Sequence, residues 1–561
     1  MDHLSISTGA RFIAETFQGY GVTHVFYVDA ILRKTMVDFE ELGISRVITH
    51  SEKAAVYMAD GYARVSYKPG VCMAQSVGAA NLAAGLQDPY LARSPVIALT
   101  GKKPPAFQYR NAYQEIEHAP LFAPVTKYNV DVVTLEQLPY LLRQAFREAT
   151  SGVPRPVHLD LLDRHGRLLE AAEGHLPVVI ESAYTHYPSS RPEPEPRAIE
   201  RGARAIREAE RPVIVAGGGV RAASAAQEVM ALAEKASIPV ATSVNGKGTV
   251  REDHPLSVGV VGSYSSRSAN QVVSEADLVI YIGSNTGDQV TYNWTVPRPG
   301  TRIVQIDIDP TEIGRNYAGV IGIAGDAKAA VQRLVDTMDA TGGNEPWLQR
   351  VRSIVSAWRA EIEPLRQADT IPIRPERLCK ELTDLLPDNA VLVSDTGYSA
   401  IWTATMVYST HPGQTYLRAA GSLGWAFPAA LGAKCAAPDR PVLCFTGDGG
   451  FWYHLSELET ARRYNIQTVT IINNNNGLAQ GIEDIHSVYG DRPGNPGELY
   501  QFEPVSFARI AQEMGCFGVR VEHPDGIKDA IQQAMRAGKP AVVEVMTSLD
   551  YRAPEPWAPP R

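Results

Sequence analysis

Short apolar runs alternate along the whole chain with longer stretches whose apolar positions return every three or four residues. "VTHVFYV" (22–28), "GVCMAQS" (70–76) and "PVIALTG" (95–101) are of the first kind, and "SEKAAVYMADGYARVS" (51–66) is of the second. Apolar strands separated by amphipathic helices are what a parallel sheet with crossover helices requires, because both faces of such a sheet are covered. The pattern closes at "PRPVHLDLL" (154–162), and the Pro-, Ser- and Glu-rich stretch "ESAYTHYPSSRPEPEPRAIE" (181–200) reads as a linker. It resumes with "RPVIVAGGGV", "IPVATSV", "ADLVIYIGS" and "TRIVQIDIDP", and again with "AVLVSDTG", "RPVLCFTGDGG", "QTVTIINNN" and "PAVVEVMTS".

The expected fold class is therefore α/β, with three consecutive doubly wound parallel-sheet domains. The expected division is a first domain over 1–170, a linker over 171–197, a central domain over 198–343, a connector over 344–372, a third domain over 373–548 and a proline-rich tail over 549–561. A chain of 561 residues is too long for one hydrophobic core. Its 44 % hydrophobic and 20 % charged residues are those of an ordinary globular protein.

Charge and targeting signals narrow the partners. A net charge of −9 with no lysine-arginine run leaves no basic stripe for a phosphate backbone, so no nucleic-acid partner is expected. "MDHLSISTGARFIAETF" lacks a signal pattern and no apolar stretch is long enough for a membrane span, so no membrane partner and a cytoplasmic location are expected. The five cysteines are scattered without a CxxC pair and read as core thiols.

The candidate chemistry begins at "GDGGFWYHLSELETARRYNIQTVTIINNNNG" (447–477). The run "PVLCFT" stops at Gly447, which puts Asp448 at the carboxyl end of a strand, where doubly wound sheets bind ligands. A helix and the parallel strand "TVTII" then return the chain to the same edge at Asn473 to Asn476. Glycines let backbone N–H groups approach an anion, while a carboxylate, an amide oxygen and a main-chain carbonyl suit Mg²⁺ carrying a diphosphate.

A GDG followed after one helix and one strand by an asparagine pair resembles the thiamine-diphosphate fingerprint. The resemblance implies thiamine diphosphate and Mg²⁺ as cofactors, with Asp448, Asn475 and the Gly477 carbonyl as metal ligands and Gly447, Gly449 and Gly450 around the diphosphate. The four-asparagine run leaves the register open by one. "HSEKAAVYMADGYAR" resembles the family's HExGAxxMAxGYAR segment, which places Glu52 as the catalytic glutamate that activates the cofactor's pyrimidine ring; the histidine stands one place early here.

"YLRAAGSLGWAFPAALGAKCAAP" resembles the segment covering bound thiamine and is locally similar to benzoylformate decarboxylases. It places Gly421, Ser422 and Leu423 at the cofactor, with Leu423 as the apolar prop. "SDTGYSAIW" puts Gly397, Tyr398 and Ser399 at a neighbouring strand end, where relatives hold the diphosphate.

The resemblance spans nearly the whole chain and follows the acetolactate-synthase and pyruvate-decarboxylase superfamily, in the order pyrimidine-binding, central and diphosphate-binding domain. "NAYQEIEH" puts Gln114 near the reacting carbon. His118 is expected at the surface, and the tandem histidines of pyruvate decarboxylases are absent. "YVDA" (27–30) and "QSVGAAN" (75–81) depart from the family's loops, which implies a substrate other than pyruvate, or at least different acid–base groups such as Asp29 or Gln75. Tyr113, Trp452, Tyr453 and Trp557 are candidate aromatic walls. Glycine-rich "AGGGV" (216–220) and "GSNTGDQ" (283–289) resemble segments that bind FAD or ADP in some relatives.

What the resemblance implies is C–C bond cleavage or formation on a small carbonyl substrate, a 2-oxo acid. Decarboxylase and acetolactate-synthase-like carboligase stay open, with 2-hydroxyacyl-CoA lyase as the alternative and a noncatalytic paralogue as the remote one. It also implies a homodimer or homotetramer with active sites at the dimer interface.

Overall fold

The computed structural model describes residues 6–339 and 344–559. The domain edges expected at residues 1, 343 and 561 lie outside the described residues. The described residues form three six-stranded, all-parallel sheets flanked by helices, and one two-stranded antiparallel pair.

In the first sheet the spatial order is Ser45–Ile48, His24–Tyr27, Gly70–Gln75, Val96–Lys102, Val157–Leu162, Tyr128–Val132. In the third it is Thr415–Arg418, Val391–Ser394, Val442–Gly447, Val469–Asn474, Ala541–Met546, Phe517–Val521. Counted along the chain, both read 2-1-3-4-6-5, so the two outer domains share one topology. The central sheet runs Ser257–Val260, Val240–Thr242, Pro212–Ala216, Leu278–Ile282, Arg302–Asp307, Ile321–Ala324, which reads 3-2-1-4-5-6. That is the dinucleotide-fold order, with its crevice between the first and fourth strands.

The segment expected as a linker is partly structured: Glu173–His175 pairs antiparallel with Ile6–Thr8. Three residues with no apolar alternation give such a strand no signature, since its partner lies at the other end of the domain. No helix among the described residues is long and apolar enough to cross a membrane. Cys72, Cys379, Cys444 and Cys516 are buried and unbridged.

The first and third domains lock together through two helices, Glu52–Ser66 and Ala426–Ala436. Ser51 caps the former by accepting the Ala54 N–H at 3.2 Å. Small residues bring the two helices into backbone contact, as a Cβ on Gly61 would overlap the Ala429 backbone and one on Gly432 the Met58 backbone. Polar groups fix the register: the buried Trp425 indole donates to Asp60 Oδ2 at 2.9 Å, and Arg64 donates to Asp60 Oδ1 at 2.8 Å and to the Arg418 carbonyl at 2.7 Å. Removing apolar surface from water stabilises this seam, and the paired charges make it specific.

Candidate active site

In the third sheet, the topology reverses direction between Val391–Ser394 and Val442–Gly447, and both strands end in turns where a doubly wound fold opens a crevice. Gly397, with φ 68° and ψ −146°, starts the helix Tyr398–Met406 in a conformation that only glycine adopts freely. Ser399 is buried, and its Oγ lies 3.6 Å from where a Cβ on Gly447 would sit, so the two turns adjoin. On Gly449 a Cβ would come within 2.5 Å of Leu478 Cδ2, and on Gly450 within 2.7 Å of Asp395 Oδ2.

Asp448 is 2 % exposed. Burial pushes its carboxyl up to about 7, against backbone hydrogen bonds from Asn475, Asp448 itself, Gly477 and Gly449. Strand pairing sets Gly447 opposite Asn473 and brings the Asn475 N–H to 3.5 Å from Asp448 Oδ1. The asparagines then divide by role. Asn474 donates to Glu544 Oε1 at 2.9 Å and accepts the Asn476 N–H at 3.0 Å, so its amide is used within the fold. The buried Oδ1 atoms of Asn473 and Asn475 have no hydrogen-bond partner among the described residues. Gly477 sits in a bridge with Gln501, where a Cβ would overlap the Tyr500 carbonyl.

The segment 420–424 is held from two sides. Asp88, fully buried in the first domain, accepts the N–H groups of Ala420, Gly421 and Ser422 at 3.0, 3.2 and 3.0 Å, and is paired with Arg64 at 3.2 Å. Asp395 accepts the Gly424 N–H at 3.0 Å, the Thr396 N–H at 2.8 Å and the Thr446 hydroxyl at 3.0 Å. Burial lifts the Asp395 carboxyl to about 6 against those bonds. Leu423, half-buried, is carried between these anchors.

Glu52 is half-buried at the first position of its helix, with Oε2 accepting from Asn81 Nδ2 at 3.1 Å and Oε1 2.6 Å from where a Cβ on Gly78 would sit. The turn before it rests on the third domain of the same chain: His50 N–H donates to Glu457 Oε1 at 3.0 Å, and Ser51 Oγ meets His454 Nδ1 at 3.4 Å. No hydrogen bond among the described residues joins the Glu52 side chain to Asp448 or Asn475 within one chain.

Gln114 sits on a loop at φ 61°, its carbonyl accepting from Ser76 Oγ and its Oε1 from Arg164 Nη1 at 3.2 Å. The Gln75 Oε1 is buried without a hydrogen-bond partner among the described residues. Asp29 is ion-paired with Arg33 at 2.9 Å, which holds its carboxyl below the usual range. His118 is not at the surface: it is 2 % exposed, with Nδ1 3.0 Å from both Asp160 oxygens. A lone histidine in sequence shows nothing of a carboxylate on a distant strand. Tyr113, Trp452 and Tyr453 are exposed, while Trp557 lies on the central domain, its carbonyl accepting from Asn270 Nδ2 at 3.0 Å.

A separate cavity of about 480 Å³ opens at the crevice of the central sheet, between it and the first domain. Gly217 and Gly219 approach the Gly283 backbone so closely that a Cβ on any of them would overlap it or its partner. Asp307, at the end of the neighbouring strand, keeps a buried Oδ2 without a hydrogen bond among the described residues, 3.8 Å from Arg93.

Three family models match the chain in order: "Thiamine pyrophosphate enzyme, N-terminal TPP binding domain" over residues 7–121, "Thiamine pyrophosphate enzyme, central domain" over 199–334, and "Thiamine pyrophosphate enzyme, C-terminal TPP binding domain" over 395–545. A "Probable acetolactate synthase large subunit" of Methanocaldococcus jannaschii is 34 % identical, over 98 % of this chain and 93 % of its own length. An "Acetolactate synthase" of Arthrospira platensis is 31 % identical over 97 % and 94 %, and an "Acetolactate synthase large subunit" of Lactococcus lactis is 29 % identical over 97 % and 93 %. The chain belongs to the thiamine-pyrophosphate-dependent enzymes of the acetolactate-synthase-like family.

Proposed function

We propose that the enzyme is a carboligase that joins two small carbonyl substrates, at least one of them a 2-oxo acid, with Mg²⁺ as the second cofactor. The observation that carries the metal is the buried, unpartnered Asn475 Oδ1 beside the buried Asp448 carboxylate. Such groups cost free energy unless something pairs with them, and an oxygen-seeking dication does. Asp448, Asn475 and the Gly477 carbonyl would hold Mg²⁺; the turns 397–399 and 447–450 would hold the diphosphate; Gly421, Ser422 and Leu423 would cover the thiamine. Asn474 is spoken for by Glu544, which favours Asn475 over it as the amide ligand. Asn473 has an unpartnered oxygen too, but lies inside the strand, two residues further than Asn475 from the carbonyl at Gly477.

Thiamine diphosphate, when bound, supplies the electron sink through which a 2-oxo acid loses CO₂ and its remaining acyl carbon adds to a second carbonyl. The chain's part is to bind, orient and move protons. Glu52 would hold a proton at the cofactor's pyrimidine ring and so set its tautomer, and Gln114 would contact substrate. The site is shared in this reading, Glu52 coming from one chain of a dimer and Asp448 from the other. The central cavity is a candidate nucleotide site for FAD or ADP, since it opens at the crevice of a dinucleotide-fold sheet and Asp307 Oδ2 is buried there free to accept a ribose hydroxyl. Release and chromatography of nucleotide from purified protein tests that part.

The test of function is a substrate panel with thiamine diphosphate and Mg²⁺. Carboligation predicts CO₂ release from a 2-oxo acid with a branched 2-hydroxy-2-alkyl-3-oxo acid or a hydroxyketone as product. CO₂ release with only free aldehyde would make the chain a decarboxylase. Cleavage of 2-hydroxyacyl-CoA alone would make it a lyase, and no turnover of any of these would contradict the reading.

A further inference from the structure

At the carboxyl edge of the first sheet, four loops converge on one guanidinium. Arg164 follows the strand Val157–Leu162, and a Cβ on Gly101, at the end of the adjoining strand, would overlap the Arg164 and Asp163 carbonyls, so this turn is jammed against the sheet. Arg164 Nε and Nη2 reach His165 Nε2 at 2.8 and 2.6 Å, and Nη1 donates to Gln114 Oε1 at 3.2 Å. Arginine only donates, so His165 Nε2 accepts, and the ring's other nitrogen donates to the Ala30 carbonyl in the "YVDA" turn. The Gln114 loop is fixed in turn by Ser76. Tyr113 lies over the guanidinium at 5.5 Å.

The charge of this fork is not matched. Arg164 has no ion pair among the described residues. The acids of the same edge are taken elsewhere, Asp163 by Arg167 at 3.9 Å and Asp29 by Arg33. Three of the five guanidinium N–H groups go to neutral acceptors, which leaves one on each terminal nitrogen. A half-buried, rigidly framed arginine with N–H groups to spare and only neutral partners suits a carboxylate.

Resting on the carboligase reading, we propose that Arg164, framed by His165 and Gln114, anchors the carboxylate of the acceptor 2-oxo acid. The donor cannot be its target, since the donor's carboxylate must leave as neutral CO₂. A guanidinium holding it would stabilise the charged ground state more than the transition state and slow that step. The acceptor keeps its carboxylate throughout: its carbonyl carbon gains the new C–C bond, its carbonyl oxygen gains a proton, and the carboxylate enters the product unchanged. Arg164 thus selects 2-oxo acids over aldehydes as acceptors.

The test uses the full chain loaded with Mg²⁺ and thiamine diphosphate, with Arg164→Gln and Arg164→Lys. Pyruvate as donor is offered pyruvate and propanal as competing acceptors, and the product ratio is read. Arg164→Gln should shift that ratio toward the aldehyde product by about tenfold or more, the worth of one charge-assisted hydrogen bond, and Arg164→Lys by less. Calorimetric titration gives a readout independent of turnover: lactate should bind Arg164→Gln about tenfold more weakly, and lactamide equally to both. An unchanged ratio with unchanged lactate affinity, in a variant that still releases CO₂, overturns this inference alone. A wild type that releases no CO₂ from any 2-oxo acid overturns the carboligase reading with it.

Discussion

Asp88 of the first domain accepts the Ser422 N–H of the third at 3.0 Å, across 334 residues of chain. With Ala420 and Gly421 on the same carboxylate and Arg64 behind it, one fully buried group sets both the covering segment and the seam between two domains. The loop that would cover thiamine is therefore only as well placed as the domain contact beneath it.

Replacing Asp88 with Ala leaves three N–H groups without their acceptor and Arg64 with Asp60 as its remaining carboxylate partner. Leaving buried donors unsatisfied costs about 1 to 3 kcal/mol each. The Asp88→Ala variant should melt several degrees lower in calorimetry and bind thiamine diphosphate more weakly, and Asp88→Asn should fall between. Cofactor affinity and melting equal to wild type would show that the covering segment is held by other contacts.

Asp395 gives a pH dependence. Burial raises its carboxyl from 3.8 to about 6, so the folded state holds this proton more tightly than the unfolded chain. The resulting contribution to stability is full below about pH 4 and is lost as pH rises toward 6. Two units correspond to about 3 kcal/mol. Asn at this position does not titrate, and its Oδ1 can still accept the Thr396 and Gly424 N–H groups. The stability of Asp395→Asn relative to wild type should rise between pH 4 and 6 and level off above; a gap independent of pH would contradict the assignment.

The strands were legible because a sheet covered on both faces needs near-continuous apolar runs, and "PVLCFT" and "TVTII" are such runs. The GDG turn was legible because strand, helix and parallel strand return the chain to one edge at a fixed spacing. Asp88 was not: "LQDPYLAR" is an ordinary helical stretch, and its partners are backbone N–H groups distant in sequence. Asp395 stood inside the quoted "SDTG", but only the folded loop shows it bonded to Gly424. His118 needed Asp160, and Arg164 needed the convergence of four loops. The shared 2-1-3-4-6-5 order of the outer domains is likewise invisible in residues and plain in strand pairing.

Glu52 and Asp448 make separable predictions. Glu52→Gln should still bind thiamine diphosphate, yet exchange the cofactor's C2 proton for deuterium about a hundredfold more slowly, because an amide cannot hold the proton as a carboxylate does. Because the shared-site proposal draws the two residues from different chains, mixing inactive Glu52→Gln and Asp448→Ala chains under subunit exchange should restore activity. About half the dimers would be mixed, each with one intact site, which gives roughly a quarter of wild-type activity. No recovery after verified exchange would mean that each chain builds its own site.

The central claim is that the Asp448 edge of the third sheet holds Mg²⁺ and the diphosphate of thiamine diphosphate, and a calorimetric titration tests it most directly. Wild type should bind thiamine diphosphate saturably and only with Mg²⁺ present. Asp448→Ala, with an unaltered far-ultraviolet spectrum, should bind about a hundredfold more weakly or not at all, since the dication would lose its one charged ligand from the protein. Wild-type affinity in Asp448→Ala, or wild-type binding that is indifferent to Mg²⁺, would contradict the claim.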